Sequence, residues 1–196
     1  MKKVVLIKSL IASSMLLVSA GSYAADGTIT FNGKVTAASC TVTGGATGGG
    51  SASTNLTVTM PSITTNSIGS NAGAMAGTTA FTITLSNCKS QSTTAEKMRV
   101  AFSGQGDPAN QYVLKNTAST GAAVGVGIQL LKEDSTSIID INGGSNKADE
   151  TTLPVSTAEE SESYVLNFNA AYVNVSGSAP TAGLVSSVAN YTIEYN

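Results

Sequence analysis

Residues 81–88 read FTITLSNC, and this stretch decides the fold class. Its odd positions from Phe81 to Leu85 are apolar, and the even positions between and after them carry Thr or Ser. A period of two is the pattern of a half-buried β-strand, because successive side chains of a strand point to opposite faces of its sheet. The stretch ends at Cys88, so the same strand also carries one of the two cysteines.

The same alternation recurs along the chain and predicts an all-β fold. Apolar residues occupy every second position, in whole or in part, at 27–35, 56–60, 98–102, 124–130, 164–172 and 189–195. Stretches rich in Gly, Asn or Ser separate these runs and predict turns, because Gly adopts positive φ and Pro presets φ. Helix signals are weak, and residues 66–77 could hold at most a short helical turn. About seven to nine short strands in one domain predict a β-sandwich of Greek-key type.

The N-terminus has the composition of a secretory signal. Lys2 and Lys3 precede an apolar run at 11–18. Ser22 and Ala24 place small residues at the two positions that a signal peptidase reads, which predicts cleavage after Ala24. We therefore predict that residues 1–24 are a signal peptide. The alternative is a membrane anchor, but the run is shorter than the roughly 20 residues that a spanning helix needs.

The charge of the predicted mature chain argues against several partners. Its 172 residues hold seven basic and twelve acidic side chains, a net charge of −5. Such a chain lacks the basic surface that binds nucleic acid or anionic lipid. Charged residues make up only 11% of the full chain, which suits a subunit that packs against copies of itself.

The two cysteines, Cys40 and Cys88, form an even pair in a chain predicted to be exported. Such a pair predicts one disulfide. The alternative is metal ligation, but the chain has no histidine and two thiols alone do not close a zinc site. The disulfide is therefore the favoured interpretation.

Enzyme chemistry finds little support in the sequence. Without histidine there is no Ser-His-Asp or Cys-His arrangement. The one acidic cluster could be a solvated loop, a calcium site or a pair of glycosidase carboxylates. No apolar frame surrounds it that would raise a carboxyl pKa, so the loop is favoured, and we expect no catalytic residue, metal or cofactor. The cluster consists of Asp149, Glu150, Glu159, Glu160 and Glu162.

Four stretches together resemble a known family. They are ADGTITFNGKV at 25–35 running into ASCTV at 38–42, FTITLSNC at 81–88, GVGIQLL at 125–131 and ANYTIEYN at 189–196. In these stretches the chain resembles pilins of the chaperone–usher pathway, specifically type 1-like major fimbrial subunits.

The resemblance implies an incomplete immunoglobulin-like β-sandwich that lacks its last strand. In the family, a donor strand from a periplasmic chaperone or from a neighbouring subunit completes the sheet edge. Residues 25–33 would then be a donor-strand extension and residues 34–196 the pilin domain. Alternation alone also fits an ordinary first strand paired within its own domain. The residues implied to enter a neighbour's groove are Gly27, Ile29, Phe31 and Gly33.

The resemblance also implies which residues border that groove and contact chaperone and subunits. Tyr195 matches the family's penultimate tyrosine, and Gly183 stands where the family usually has a glycine near the C-terminus. The implied edge consists of Gly183, Ala189, Tyr191, Ile193 and Tyr195.

The function implied is that of a structural subunit polymerised head to tail into an adhesive surface fibre. The alternative is a minor or tip-proximal subunit that binds a host glycan. The implied partners are identical or related pilins, a periplasmic chaperone, an outer-membrane usher and, through the fibre, a host-cell surface. The implied route leads through the periplasm to the cell exterior.

Overall fold

The computed structural model of the chain describes residues 33, 35, 38–46, 55–90, 93–153, 155 and 162–196. The chain divides into two units, Met1–Gly33 and Lys34–Asn196, and every helix and strand named below belongs to the second unit. The predicted signal peptide lies outside the described residues, as do the predicted donor residues Gly27, Ile29 and Phe31.

The described part of the second unit is built almost entirely of strands. Its single helix is one turn long, and no helix in this part is long and apolar enough to cross a membrane. In chain order the elements are β1 (Ser39–Ala46), α1 (Thr65–Ile68), β2 (Met75–Lys89), β3 (Glu96–Gly104), β4 (Gly106–Asp107), β5 (Asn110–Lys115), β6 (Val126–Leu131), β7 (Ile138–Ile139), β8 (Thr151–Leu153), β9 (Glu162–Asn174) and β10 (Ala189–Tyr195).

The strands form two antiparallel sheets that face each other, which confirms the all-β prediction. The first sheet has the order β1-β2-β9-β6-β5-β4, with β7 paired to β6. The second has the order β10-β3-β8. Because β2 belongs to the first sheet and β3 to the second, the chain crosses between the layers immediately after β2. This is the sandwich architecture that the repeated alternation predicts.

The core lies between the two sheets and follows the alternation of the sequence. In β2, Ile83 and Leu85 are buried while Thr84 between them is only half-buried. Three phenylalanines from β2, β3 and β9 join the layers, with ring centroids 5.3–6.4 Å apart. Burying one such side chain contributes roughly 1.5–3 kcal/mol. The three rings are those of Phe81, Phe102 and Phe168.

The predicted disulfide is present. Cys40 in β1 is bonded to Cys88 near the end of β2, and their Cα atoms lie 4.1 Å apart. Ser39 and Lys89 pair directly beside it in the ladder between the two strands. The bond therefore fastens the start of β1 to the end of β2.

One predicted strand is extended but unpaired. The segment 55–60 pairs with no strand in the described part of the chain. Its apolar residues nevertheless keep the predicted period of two, since Leu56, Val58 and Met60 are half-buried and pack against the core. The segment runs beside a cavity, so no sheet neighbour is available to it on that side.

The run predicted at 124–130 begins two residues late. Val124 is 67% exposed and precedes the strand, because Gly125 has a φ of 79° and turns the chain. From Val126 onward all six residues of β6 are buried, so the expected alternation disappears. The strand lies inside the first sheet, between β9 and β5, where both of its faces are covered.

Candidate functional site

A groove of about 800 Å³ opens between the two sheets. Its floor is the apolar core itself, supplied by strands of both layers. The floor residues are Phe81, Ile83, Phe102, Leu114, Ile128, Leu130, Ala170 and Tyr172. These floor side chains are buried, apart from the half-buried Tyr172, so the groove offers a concave, largely apolar cavity that a ligand of complementary shape could fill.

Two extended stretches form the walls of the groove. The first wall is the unpaired segment 55–60, whose half-buried residues alternate with exposed ones. The second wall is residues 185–191, a loop that leads into the first three residues of β10. The first wall keeps the two-residue burial period of a strand, and the second ends in β10, so an added β-strand could lie along them.

Tyr172 fixes the chain just beyond the first wall. Its ring lines the groove, and its hydroxyl donates a hydrogen bond to the carbonyl oxygen of Pro61 at 3.2 Å. Burial raises the pKa of this phenol, which keeps the donor protonated. The contact ties residue 61 to the last part of β9.

The second wall continues into the one long, regular sheet edge among the described strands. Of the five strands with a single neighbour, β4 and β7 have two residues each and β8 has three. The register of β1 shifts twice along its partner. By contrast, β10 pairs with β3 in unbroken register over seven residues. An edge of this kind is a template for a further strand.

The predicted edge residues occupy different positions along this strand. Ala189 and Tyr191 line the groove. Ile193 and Tyr195 do not line it, but they pack against the core on the same side of β10. The hydroxyl oxygen of Tyr195 accepts a hydrogen bond from the backbone N–H of Cys40 at 2.7 Å, which links the end of β10 to the disulfide region.

Two further predicted glycines lie among the described residues, and Gly183 does not line the groove. Gly33 is exposed. Gly183 lies against the backbone of the loop before β6, where a Cβ would come within 2.4 Å of the nitrogen of Ala123 and 2.5 Å of the carbonyl oxygen of Gly121. Only a residue without a side chain fits there. Gly183 therefore lets the chain pass close to the backbone of residues 121–123 before the second wall begins at residue 185.

Sequence reasoning missed parts of both walls. Leu56, Val58 and Met60 were expected in a strand, but their place beside a groove follows only from the tertiary fold. Val185 and Ser187 carry no pattern that marks them as wall residues. The alternation at 56–60 next to a long turn-rich stretch is the one signal that could have suggested an unpaired strand.

Charged residues lie outside the groove, and several of them form ion pairs. Lys132 contacts Asp149 at 2.5 Å, and Lys97 contacts Glu150 at 2.9 Å. The hydrogen bond from Lys97 is the main cause that lowers the pKa of Glu150. None of the described groove residues is an acid or a base other than tyrosine. Glu159 and Glu160 lie outside the described residues.

The described residues also contain no group of three or more His, Cys, Asp or Glu that could hold a metal ion. The groove therefore offers apolar surface and a strand edge, and its chemistry is that of binding. Neither a nucleophile with its base nor a pair of free carboxylates lies in it.

Comparison with known proteins identifies the family. The family model described as fimbrial protein matches residues 29–196. The chain belongs to this family. Fimbrial proteins are structural proteins that assemble into surface fibres, so the family places this chain among the subunits of such fibres outside the cell.

Several fimbrial proteins are similar over most of their length. The F17 fimbrial protein of Escherichia coli is 36% identical, over 100% of this chain and 99% of its own. The major fimbrial subunit SMF-1 of Stenotrophomonas maltophilia is 36% identical, over 88% of this chain and 94% of its own. The minor fimbrial subunit HifD of Haemophilus influenzae is 33% identical, over 92% and 79%.

The fold matches that of solved pilus subunits. A chain in the structure of a chaperone–usher pilus superposes with a TM-score of 0.55 and 21% identity, covering 88% of this chain and 96% of that one. With the family match, this confirms the predicted resemblance to chaperone–usher fimbrial pilins.

Proposed function

We propose that this fimbrial subunit forms the shaft of a fimbrium and polymerises head to tail by donor-strand exchange. The N-terminal extension at 25–33 of one copy would lie in the groove of the next, as a strand added to β10. The observation that supports this proposal is the apolar groove, of about 800 Å³, bordered by the regular edge of the second sheet.

The length of the extension fits the groove. A strand rises about 3.3 Å per residue, so the nine residues of the extension span roughly 30 Å and the seven residues of β10 roughly 23 Å. The extension therefore covers the whole of β10 with a margin for the connection to its own domain.

The chemistry of the extension fits as well. Ile29 and Phe31 share one face of the predicted strand, and Thr28 and Thr30 share the other. Main-chain hydrogen bonds to β10 would supply affinity, and the two large apolar side chains would fix the register. Each would contribute roughly 1.5–3 kcal/mol when buried on the apolar floor.

Exchange between identical subunits gives an open polymer. The extension and the groove are different surfaces, so each contact is heterologous and leaves one free extension and one free groove at the ends of the chain. Before assembly the groove would need cover, since an exposed apolar floor beside a sheet edge promotes aggregation. We propose that a periplasmic chaperone covers it after the signal peptide 1–24 is removed, and that an outer-membrane usher directs the exchange.

A pair of matched double variants tests the proposal. Ile29→Asp with Phe31→Asp places two charges on the face directed into the groove, and we expect a folded subunit that enters no fibre. Thr28→Asp with Thr30→Asp places the same charges on the opposite face and should still assemble. Electron microscopy of cells gives the readout, with immunoblots of periplasmic subunit as the folding control. Fibres built from the first variant, at normal subunit level, would overturn donor-strand exchange.

A minor or tip-proximal role with glycan binding is the second candidate, and the similarity to the minor subunit HifD favours keeping it. Deleting the gene distinguishes the two roles. A shaft subunit is required for long fibres, whereas fibres of normal length and number in its absence would assign the chain to a minor position.

A further inference from the structure

The loop part of the second wall, residues 185–188, is held mainly by polar contacts. Val188 is 71% exposed, and Leu184 just before the loop is 65% exposed. Val185 is the apolar residue of this loop that packs against the core, and it is only half-buried. Little apolar surface therefore fixes this part of the groove, and hydrogen bonds must determine its position.

One asparagine, Asn116, supplies the central contacts. Its side-chain nitrogen Nδ2 donates to the carbonyl oxygens of Ala123 and Leu184, both at 2.9 Å. Its Oδ1 accepts from the backbone N–H of Ala118 at 3.1 Å and of Ser186 at 3.0 Å. These four bonds use both donors and both acceptor sites of a carboxamide. The side chain thus joins three stretches of backbone, one of which is the second wall.

The neighbours of Asn116 strengthen the same connection. The backbone N–H of Thr117 donates to the carbonyl oxygen of Ser186 at 2.7 Å, and the Thr117 hydroxyl donates to the same oxygen at 3.0 Å. The Ser187 hydroxyl donates to the carbonyl oxygen of Lys115 at 2.7 Å. Residues 115–117 therefore hold the loop through hydrogen bonds of backbone and side-chain groups.

We infer that Asn116 is a positioning residue for strand uptake, which holds the second wall where an incoming strand can bind. The inference rests on the proposed function of the groove. A wall that moves between several positions accepts a strand only during the fraction of time that it spends in the right one. The association rate therefore falls to that fraction of its value for a fixed wall. No other side chain of similar size offers two donors and two acceptors in this arrangement.

The test measures uptake of a fluorescent peptide with the sequence of residues 25–35 by the full mature chain. Asn116→Asp keeps the shape, removes both donors and turns a carboxylate oxygen toward two carbonyl oxygens. We expect the association rate to fall roughly tenfold, as for a wall correctly placed about one-tenth of the time. The rate is measured well below the midpoint of thermal unfolding, where the variant is fully folded, so that a loss of global stability alone would not change it.

Asn110→Asp is the matched control. Asn110 lies at the start of β5, and its Oδ1 accepts from the backbone N–H of Tyr112 at 3.1 Å. The substitution adds the same charge, and Nδ2 of Asn110 donates no hydrogen bond to any of the described residues, so uptake should equal that of the wild type.

The outcomes separate this inference from the function on which it rests. If wild-type protein takes up no peptide, donor-strand acceptance is itself overturned. If wild-type protein takes up peptide and Asn116→Asp does so at the same rate, only the positioning role is overturned. Should Asn116→Asp fail to fold, Thr117→Val decides the matter, because it removes one hydroxyl from the same connection. Slower uptake at an unchanged unfolding midpoint supports the role, and wild-type uptake refutes it.

Discussion

Replacing Tyr195 with Phe removes one oxygen atom and one long-range hydrogen bond. The hydroxyl oxygen of Tyr195 accepts from the backbone N–H of Cys40 at 2.7 Å, across 155 residues of sequence. The ring would remain packed against the core on the inner side of β10. The substitution therefore isolates the link between the last strand and the disulfide-bonded start of β1.

The expected loss of stability follows from the burial of the Cys40 N–H group, which loses its acceptor. Leaving a buried N–H without a partner costs about 1–3 kcal/mol, and a partly buried one falls in the lower half of that range because water reaches it. Both residues are half-buried, so we expect a loss of about 1–2 kcal/mol in the free energy of unfolding. For a domain of this size, that corresponds to a fall of roughly 2–8 °C in the unfolding midpoint.

Thermal and guanidinium unfolding of the mature chain, followed by circular dichroism, provides the measurement. Tyr112→Phe is the control, because Tyr112 is 37% exposed and its hydroxyl has no hydrogen-bond partner among the described residues. It should change the free energy of unfolding by less than about 0.5 kcal/mol. Equal stability of the Tyr195→Phe variant and the wild type would refute the reasoning, as would an equal loss in the control.

Three further predictions concern other parts of the fold. Replacing Cys40 and Cys88 with Ser opens a connection across 48 residues and should lower the free energy of unfolding by about 4 kcal/mol on the chain-entropy model, and equal midpoints with and without a reducing agent would contradict this. Gly183→Ala brings a Cβ within 2.4 Å of a backbone nitrogen and should lower the free energy of unfolding by about 1–3 kcal/mol, whereas Gly33→Ala, with no atom of the described residues within 4 Å of the added Cβ, should be neutral in the same unfolding assay. Burial and the neighbouring Glu162 raise the pKa of Tyr164 to about 12, above the usual value of about 10 for a tyrosine, so its neutral form is stabilised on folding. That stability is complete below pH 10 and is lost as the pH rises toward 12; in an ultraviolet titration the absorbance step near pH 12 should lose the contribution of one tyrosine in Tyr164→Phe.

The sequence predicts those parts of the fold that local side-chain order determines. The alternation from Phe81 to Leu85 predicts both the strand and its buried face, because a period of two places all the apolar side chains on one face of the sheet. The two cysteines predict the disulfide, because few alternatives exist for a pair without histidine. The last run, 189–195, coincides with β10.

Features that depend on the approach of distant segments could not be predicted. In β9 the alternation ends at Phe168, because the turn after β6 covers the outer face and receives hydrogen bonds from the Asn169 amide. The segment 55–60 has the pattern of a strand, yet whether it pairs depends on what lies beside it. Asn116 bonds to residues 68 and 70 positions away, and nothing in its local sequence distinguishes it from other asparagines.

The way the second wall is anchored also determines which positions are free to vary. Leu184 and Val124 bond to neighbouring segments through main-chain groups, while their side chains are 65% and 67% exposed. These outward side chains can therefore be replaced, or carry an attached label, without a change in the backbone that shapes the groove. Among related sequences, substitutions should therefore be frequent at positions 124 and 184 and rare at Asn116.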